Sequence, residues 1–139
     1  MVAEIRFVEG KVFGMKRIHA TDKAPGAIGP YSQAVEANGF VFCSGSIPLT
    51  PEGVLIEGDI RAQTEQVMKN IEGLLGSMDL SFENVVKTTI FLSSMDHFGV
   101  VNEVYGARFA SDPPARSTVA VAGLPKNVDV EIEVICVRS

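Results

Sequence analysis

The sequence predicts a two-layer α+β domain, one mixed β-sheet with two helices on one of its faces. Three observations lead there. Six short runs rich in Val, Ile, Phe and Thr alternate with Gly, Pro and Asn turns, and two longer stretches carry apolar residues at spacings of three and four. Each of those stretches has a single apolar stripe, so each buries one face, and both fit most simply on the same side of one sheet. The last β-type run sorts into two faces, with Val128, Val130, Ile132, Val134 and Cys136 on one and Asp129, Glu131, Glu133, Ile135 and Val137 on the other.

At 139 residues and 46% hydrophobic, the chain suits one core without staples. A formal charge of −5, with no block of Lys or Arg, disfavours nucleic acid as a partner. No run approaches the roughly 18 apolar residues of a membrane span, and Glu4, Arg6, Glu9 and Lys11 interrupt any export signal. The expected location is therefore the cytoplasm, with no membrane partner. Cys43 and Cys136 lie in apolar runs with no Cys or His at ligand spacing, and read as buried reduced thiols. No phosphate loop, His-Glu-x-x-His or Cys cluster is present, so neither a metal nor a cofactor is expected.

In chain order, residues 1–14 read as an N-terminal extension: residues 4–8 suit a short strand, and Glu9-Gly10 and Gly14 break the pattern. The domain proper is placed at residues 15–139, Met15 offering a second beginning. Residues 16–19 suit a short strand, and Pro25, Gly26, Gly29 and Pro30 mark residues 21–30 as loop. Strands over residues 31–37 and 40–44 meet at Asn38-Gly39, a dipeptide that tolerates positive φ at both turn positions. Asp59 then caps a helix with Ile60, Val67, Met68, Ile71, Leu74, Leu75 and Met78 along one stripe and Gly76 as its C-cap.

Residues 85–92 have the composition of a central strand. Ser94 or Asp96 caps a second helix carrying Phe98, Val101, Tyr105 and Phe109, which Asp112-Pro113-Pro114 ends. Strands over residues 116–121 and 128–137 close the chain. The first helix is then a crossover between parallel strands. The sheet's other face, part charged and part apolar with Phe40 and Phe42, lacks a covering layer. It calls for a second copy of the chain, and such seams are where sites form.

Among residues that carry chemistry, Arg116 stands where a Pro-Pro pair meets a strand. It reads either as a bidentate clamp for a carboxylate or as an ordinary salt-bridge partner of one of 17 acids. Glu131 is either a base that holds a water or a solvated strand charge. Ser44-Gly45-Ser46 ends a strand where glycine lets a ligand approach the backbone; Phe42 rules out a nucleophile elbow. His19 and His97 have no recognisable triad partner. Tyr31 and Asn102 are polar groups on apolar elements, open to binding or to a structural hydrogen bond.

The ordered segments Ala24-Pro25-Gly26-Ala27-Ile28-Gly29-Pro30-Tyr31-Ser32-Gln33-Ala34, Ser44-Gly45-Ser46-Ile47-Pro48, Val86-Lys87-Thr88-Thr89-Ile90-Phe91-Leu92, Pro114-Ala115-Arg116-Ser117 and Val130-Glu131-Ile132-Glu133 resemble the RidA/YjgF family of reactive-intermediate deaminases. The resemblance covers about residues 16–138. It implies a chorismate-mutase-like fold, a homotrimer with a central β-barrel, and clefts between subunits. The implied enzyme is a cofactor-free 2-iminobutanoate/2-iminopropanoate deaminase, converting 2-enamine and 2-imine acids such as 2-aminoacrylate to 2-keto acids and ammonia.

Carried over by motif, Arg116 binds the carboxylate, Glu131 positions water, and Tyr31, Ser44, Gly45 and Asn102 line the pocket. Many relatives have Cys where this chain has Thr118, which leaves thiol regulation at that position without support. The alternatives are a non-catalytic trimer binding small carboxylates or acting as a chaperone, and an endoribonuclease or translation inhibitor; the acidic charge balance weighs against the last.

Overall fold

The computed structural model describes residues 3–8 and 11–139, with side chains from residue 15 onward. Its strands are β1 (Ala3–Val8), β2 (Lys11–His19), β3 (Ala34–Ala37), β4 (Phe40–Cys43), β5 (Val85–Leu92), β6 (Ala115–Ala120) and β7 (Val130–Val137), and its helices are α1 (Ile60–Ser77) and α2 (Phe98–Gly106). The strands form one mixed sheet in the order β1-β2-β3-β4-β7-β5-β6. β5 and β6 are parallel neighbours across α2, and every other neighbouring pair is antiparallel. β4 and β5 are both antiparallel to β7. The α1 crossover therefore joins parallel strands, as expected, but with β7 inserted between them.

The hairpin and cap chemistry settle the local boundaries. Asn38 and Gly39 take φ of 53° and 82°, the turn their types favour, and set the β3–β4 register. Asp59 caps α1 by accepting from the Arg61 N–H at 3.0 Å. The helix does not close on Gly76. It runs one residue further and ends on Asp79 at φ 59°, whose N–H reaches the Gly76 carbonyl while Leu80 N–H reaches Leu75. That is a Schellman closure, with Asp79 tolerating the left-handed position and Leu80 tucked into the core.

Two strand boundaries also differ. Gly14 lies inside β2, where the pairing with β1 slips by one residue, so this glycine marks a bulge rather than a break. Residues 31–33 are not strand, because Gln33 turns inward to hold the preceding loop. Its Oε1 accepts from Thr21 N–H at 2.7 Å, and its Nε2 donates to the Thr21 and Pro25 carbonyls. Across from it, α1 approaches so closely at Gly73 that a Cβ there would overlap the Lys23 carbonyl. The 21–33 loop is thus pinned from both sides.

The core lies between the sheet and the two helices. Val41, Cys43, Ile90, Leu92, Val130, Ile132, Val134 and Cys136 bury one sheet face against Val67, Met68, Ile71, Leu75, Val101 and Val104. On the opposite face Phe40 and Phe42 remain 43% and 47% exposed, pairing with Val137 and Ile135. No helix of the described residues is long and apolar enough to cross a membrane. Cys43 and Cys136 are both buried and reduced.

Candidate functional site

Arg116 is the second residue of β6 and pairs with Thr88 of β5 on the helix-covered face. One guanidinium nitrogen donates to the Asn102 Oδ1 at 2.6 Å. The guanidinium carbon stands 5.6 Å from the Phe98 ring centre and 5.2 Å from that of Tyr105. Spacings of four and seven put Phe98, Asn102 and Tyr105 on one stripe of α2, so the helix offers two ring faces and an amide to the cation. Tyr105 is itself fixed by a 2.8 Å hydrogen bond with the buried Thr88 hydroxyl, and burial pushes its phenol pKa up. Among the described residues no carboxylate lies within ion-pair distance of Arg116. An exposed arginine oriented by stacking, without its own counter-ion, is set to receive an anion.

A second group of residues gathers at the far end of β4. Ser44 is tied to the loop before β3, its N–H donating to the Gln33 carbonyl at 2.9 Å and its hydroxyl to that of Ser32 at 2.6 Å. Ser46 and Ile132 exchange two backbone hydrogen bonds of 2.8 and 3.1 Å, which lays Gly45 against β7. A Cβ at Gly45 would overlap the Glu131 carboxylate, so the missing side chain is what admits that carboxylate. Burial first, and the neighbouring Glu133 second, push the Glu131 carboxyl above its ordinary pKa. Tyr31 is half exposed beside this end, its phenol oxygen accepting from Ile28 N–H at 3.4 Å.

The six candidate residues are therefore two clusters. Arg116 and Asn102 form one; Tyr31, Ser44, Gly45 and Glu131 form the other. The register explains the division. Thr88 pairs with Arg116 and Val134, whereas Phe91 pairs with Glu131, so Arg116 and Glu131 project from opposite faces. Two strand spacings and three residues separate their Cα atoms by roughly 14 Å. One copy of the chain does not bring the guanidinium and the carboxylate together.

Phe98 and Tyr105 fit an apolar core stripe in the sequence, yet they also seat the Arg116 guanidinium. Asn102 on the same stripe was the signal that this face also holds a polar group. The remaining titratable clusters are structural. Arg138 grips Glu36 at 2.8 and 3.1 Å and the Met78 carbonyl at 2.8 Å, and holds the Glu36 carboxyl at about 2, well below its ordinary value. His19 adds a 2.8 Å contact to the same carboxylate. Asp129 accepts from Ser93 at 2.7 Å and Gln63 at 3.0 Å, with His97 at 3.8 Å, which pins the turn before β7. Among the described residues no group of three His, Cys, Asp or Glu side chains could hold a metal.

Comparison with known proteins places this geometry in a wider set. The Endoribonuclease L-PSP family matches residues 21–138. The chain is 47% identical over 121 residues to the chloroplastic Reactive Intermediate Deaminase A of Arabidopsis thaliana, covering 86% of this chain and 65% of that protein. A Thermotoga maritima crystal structure whose description proposes an endoribonuclease is 52% identical, with a TM-score of 0.85 over 88% of this chain and 98% of that one. Escherichia coli TdcF, solved with bound serine, is 40% identical, with a TM-score of 0.84 over 88% and 99%.

Proposed function

The chain belongs to the RidA/YjgF family, the family described as Endoribonuclease L-PSP, and from that premise we propose that it hydrolyses 2-enamine and 2-imine acids to 2-keto acids and ammonia. The substrates meant are small acids such as 2-aminoacrylate and 2-iminobutyrate. The working unit is a homotrimer that closes the open sheet faces into a barrel, and each site joins Arg116 and Asn102 of one subunit to the Tyr31, Ser44, Gly45 and Glu131 cluster of the next. The observation that carries this reading is Arg116, stacked on two aromatic rings with no carboxylate within ion-pair distance among the described residues.

The chemistry asks for little. The imine carbon is already electrophilic, so binding has to place it beside a water and stabilise the charge that develops. Arg116 holds the substrate carboxylate in a two-point grip. Glu131 takes a proton from water as the water oxygen bonds to the imine carbon, and the C=N electron pair moves to nitrogen, which takes up that proton from Glu131. The resulting carbinolamine collapses when the amine receives a proton and leaves as ammonia, while the hydroxyl proton departs and the keto acid forms. A carboxylate whose pKa is raised by burial is the better base for that exchange.

A formal charge of −5 sets the chain against a polyanionic RNA substrate, so the deaminase reading is preferred to the ribonuclease descriptions of some relatives. The test is direct. With 2-iminobutyrate generated by a threonine dehydratase, purified protein is expected to speed 2-ketobutyrate release over a heat-inactivated control. Identical decay with and without protein would overturn the reading.

A further inference from the structure

The mixed sheet ends in β6 on one side and in β1 on the other. β6 carries Arg116, whereas β1 lies outside residues 21–138, which match the family, and takes no part in the chemistry above. The inner edge of β1 is taken by β2, with Ala3 opposite Arg17 and Val8 opposite Lys11. Among the described residues no strand pairs with its outer edge, so alternate N–H and C=O groups there lack ladder partners. Proteins keep such edges single with Pro, with bulges or with repelling charges. β1, Ala-Glu-Ile-Arg-Phe-Val, has no Pro, and its two charges are opposite in sign. The slip in its pairing belongs to β2: two steps from Ile5 to Phe7 meet three from Val12 to Met15, so β1 itself stays regular.

A regular strand alternates, which puts Ala3, Ile5 and Phe7 on one face of the sheet and Glu4, Arg6 and Val8 on the other. That order is self-complementary about Ile5. An antiparallel copy centred there sets Ile5 opposite Ile5, Ala3 opposite Phe7 and Glu4 opposite Arg6, the last two pairings occurring twice by symmetry. Apolar residues then meet apolar ones, and each acid meets a base, the combination that stabilises an antiparallel pair. Other registers lose this match. A slip of one residue sets Glu4 opposite Phe7 or Ile5, and a slip of two sets Arg6 opposite Arg6 or Glu4 opposite Glu4.

We propose that β1 is an interaction surface for a second copy of this chain, the two joined edge to edge as an antiparallel pair centred on Ile5, and that this contact doubles whatever assembly the rest of the domain forms. The contact is isologous: the same strand serves both copies, so the pair closes on itself and leaves no edge for further addition. Main-chain hydrogen bonds supply the attraction, and the order of charges selects the register and the partner. β1 and β6 stand at opposite ends of the strand order, so the pairing neither uses Arg116 nor depends on the deaminase reading.

The experiment measures the mass of the full-length chain and of two charge variants by sedimentation velocity at one protein concentration. Arg6→Glu leaves β1 with two acids, so identical copies meet like charge with like. Glu4→Lys combined with Lys16→Glu leaves β1 with two bases, while the pairing of positions 4 and 16 within the chain keeps opposite charges. The wild-type assembly is expected to have twice the mass of either variant's. Mixing the two variants in equal amounts should restore the doubled mass, because each then finds its complement in the other, and that recovery also shows that both variants are folded. The same mass for wild type and both variants, or a mixture that stays at the smaller mass, would overturn the pairing.

Discussion

Replacing Arg116 by alanine is expected to lower kcat/KM for 2-iminobutyrate by roughly 30- to 5,000-fold, the equivalent of about 2–5 kcal/mol for removing one partner of a desolvated charge pair. The guanidinium is fixed before substrate arrives, by Asn102 at 2.6 Å and by the Phe98 and Tyr105 rings. Little ordering entropy is then left to spend on binding. Arg116→Lys should recover only part of the loss, because an ammonium offers a point charge and no flat surface to stack. Because the Tyr105 hydroxyl is anchored on Thr88 rather than on Arg116, the fold should survive, and an unchanged melting temperature would separate lost binding from lost structure. Equal rates for Arg116→Ala and wild type would remove Arg116 from the mechanism.

Glu131→Gln is the second large effect, expected to reduce kcat by about 10²–10⁴-fold, the usual contribution of a positioned acid or base. It carries a pH signature. Burial and Glu133 raise the Glu131 pKa, so the active carboxylate form is lost at a higher pH than for an ordinary glutamate. After subtraction of spontaneous hydrolysis, kcat/KM should therefore rise with pH through that elevated value. Glu133→Gln removes the neighbouring negative charge and should move the rise to lower pH. Glu131→Gln should abolish it. A profile that is unchanged in both variants would mean that another group handles the proton.

Much of the fold could be read from local chemistry. Asn38-Gly39 announced the β3–β4 hairpin, Asp59 announced the start of α1, and alternation along residues 128–136 assigned the buried face of β7, where Val128, Val130, Ile132, Val134 and Cys136 are all at most 4% exposed. Each of these signals depends on a few neighbouring residues. The misread positions depended on more distant partners. Gly76 was the better C-cap by type, but Asp79 occupies the left-handed position because Leu80 must reach the core. Residues 31–33 had strand composition, but Gln33 is recruited by backbone groups up to twelve residues earlier.

The candidate site divides along the same line. The residue types of Arg116, Glu131 and Gly45 suggested their chemistry one by one. Their placement on opposite faces follows from the β6–β5–β7 register, a set of long-range pairings that no local pattern encodes. The aromatic seat of Arg116 was hidden for another reason: Phe98 and Tyr105 satisfy a core pattern and a binding pattern at once. The role of Gly45 emerged only when Glu131 was found lying where a side chain would be.

The central claim is that Arg116 and Glu131 serve one reaction from two different subunits. Arg116→Ala and Glu131→Gln chains, co-expressed with different affinity tags and purified on both, give trimers that contain each type. In any such trimer the head-to-tail order leaves one interface with an intact Arg116 facing an intact Glu131, so activity should recover to about a third of wild type from two nearly inactive parents. Mixed assemblies no more active than either parent would contradict the claim.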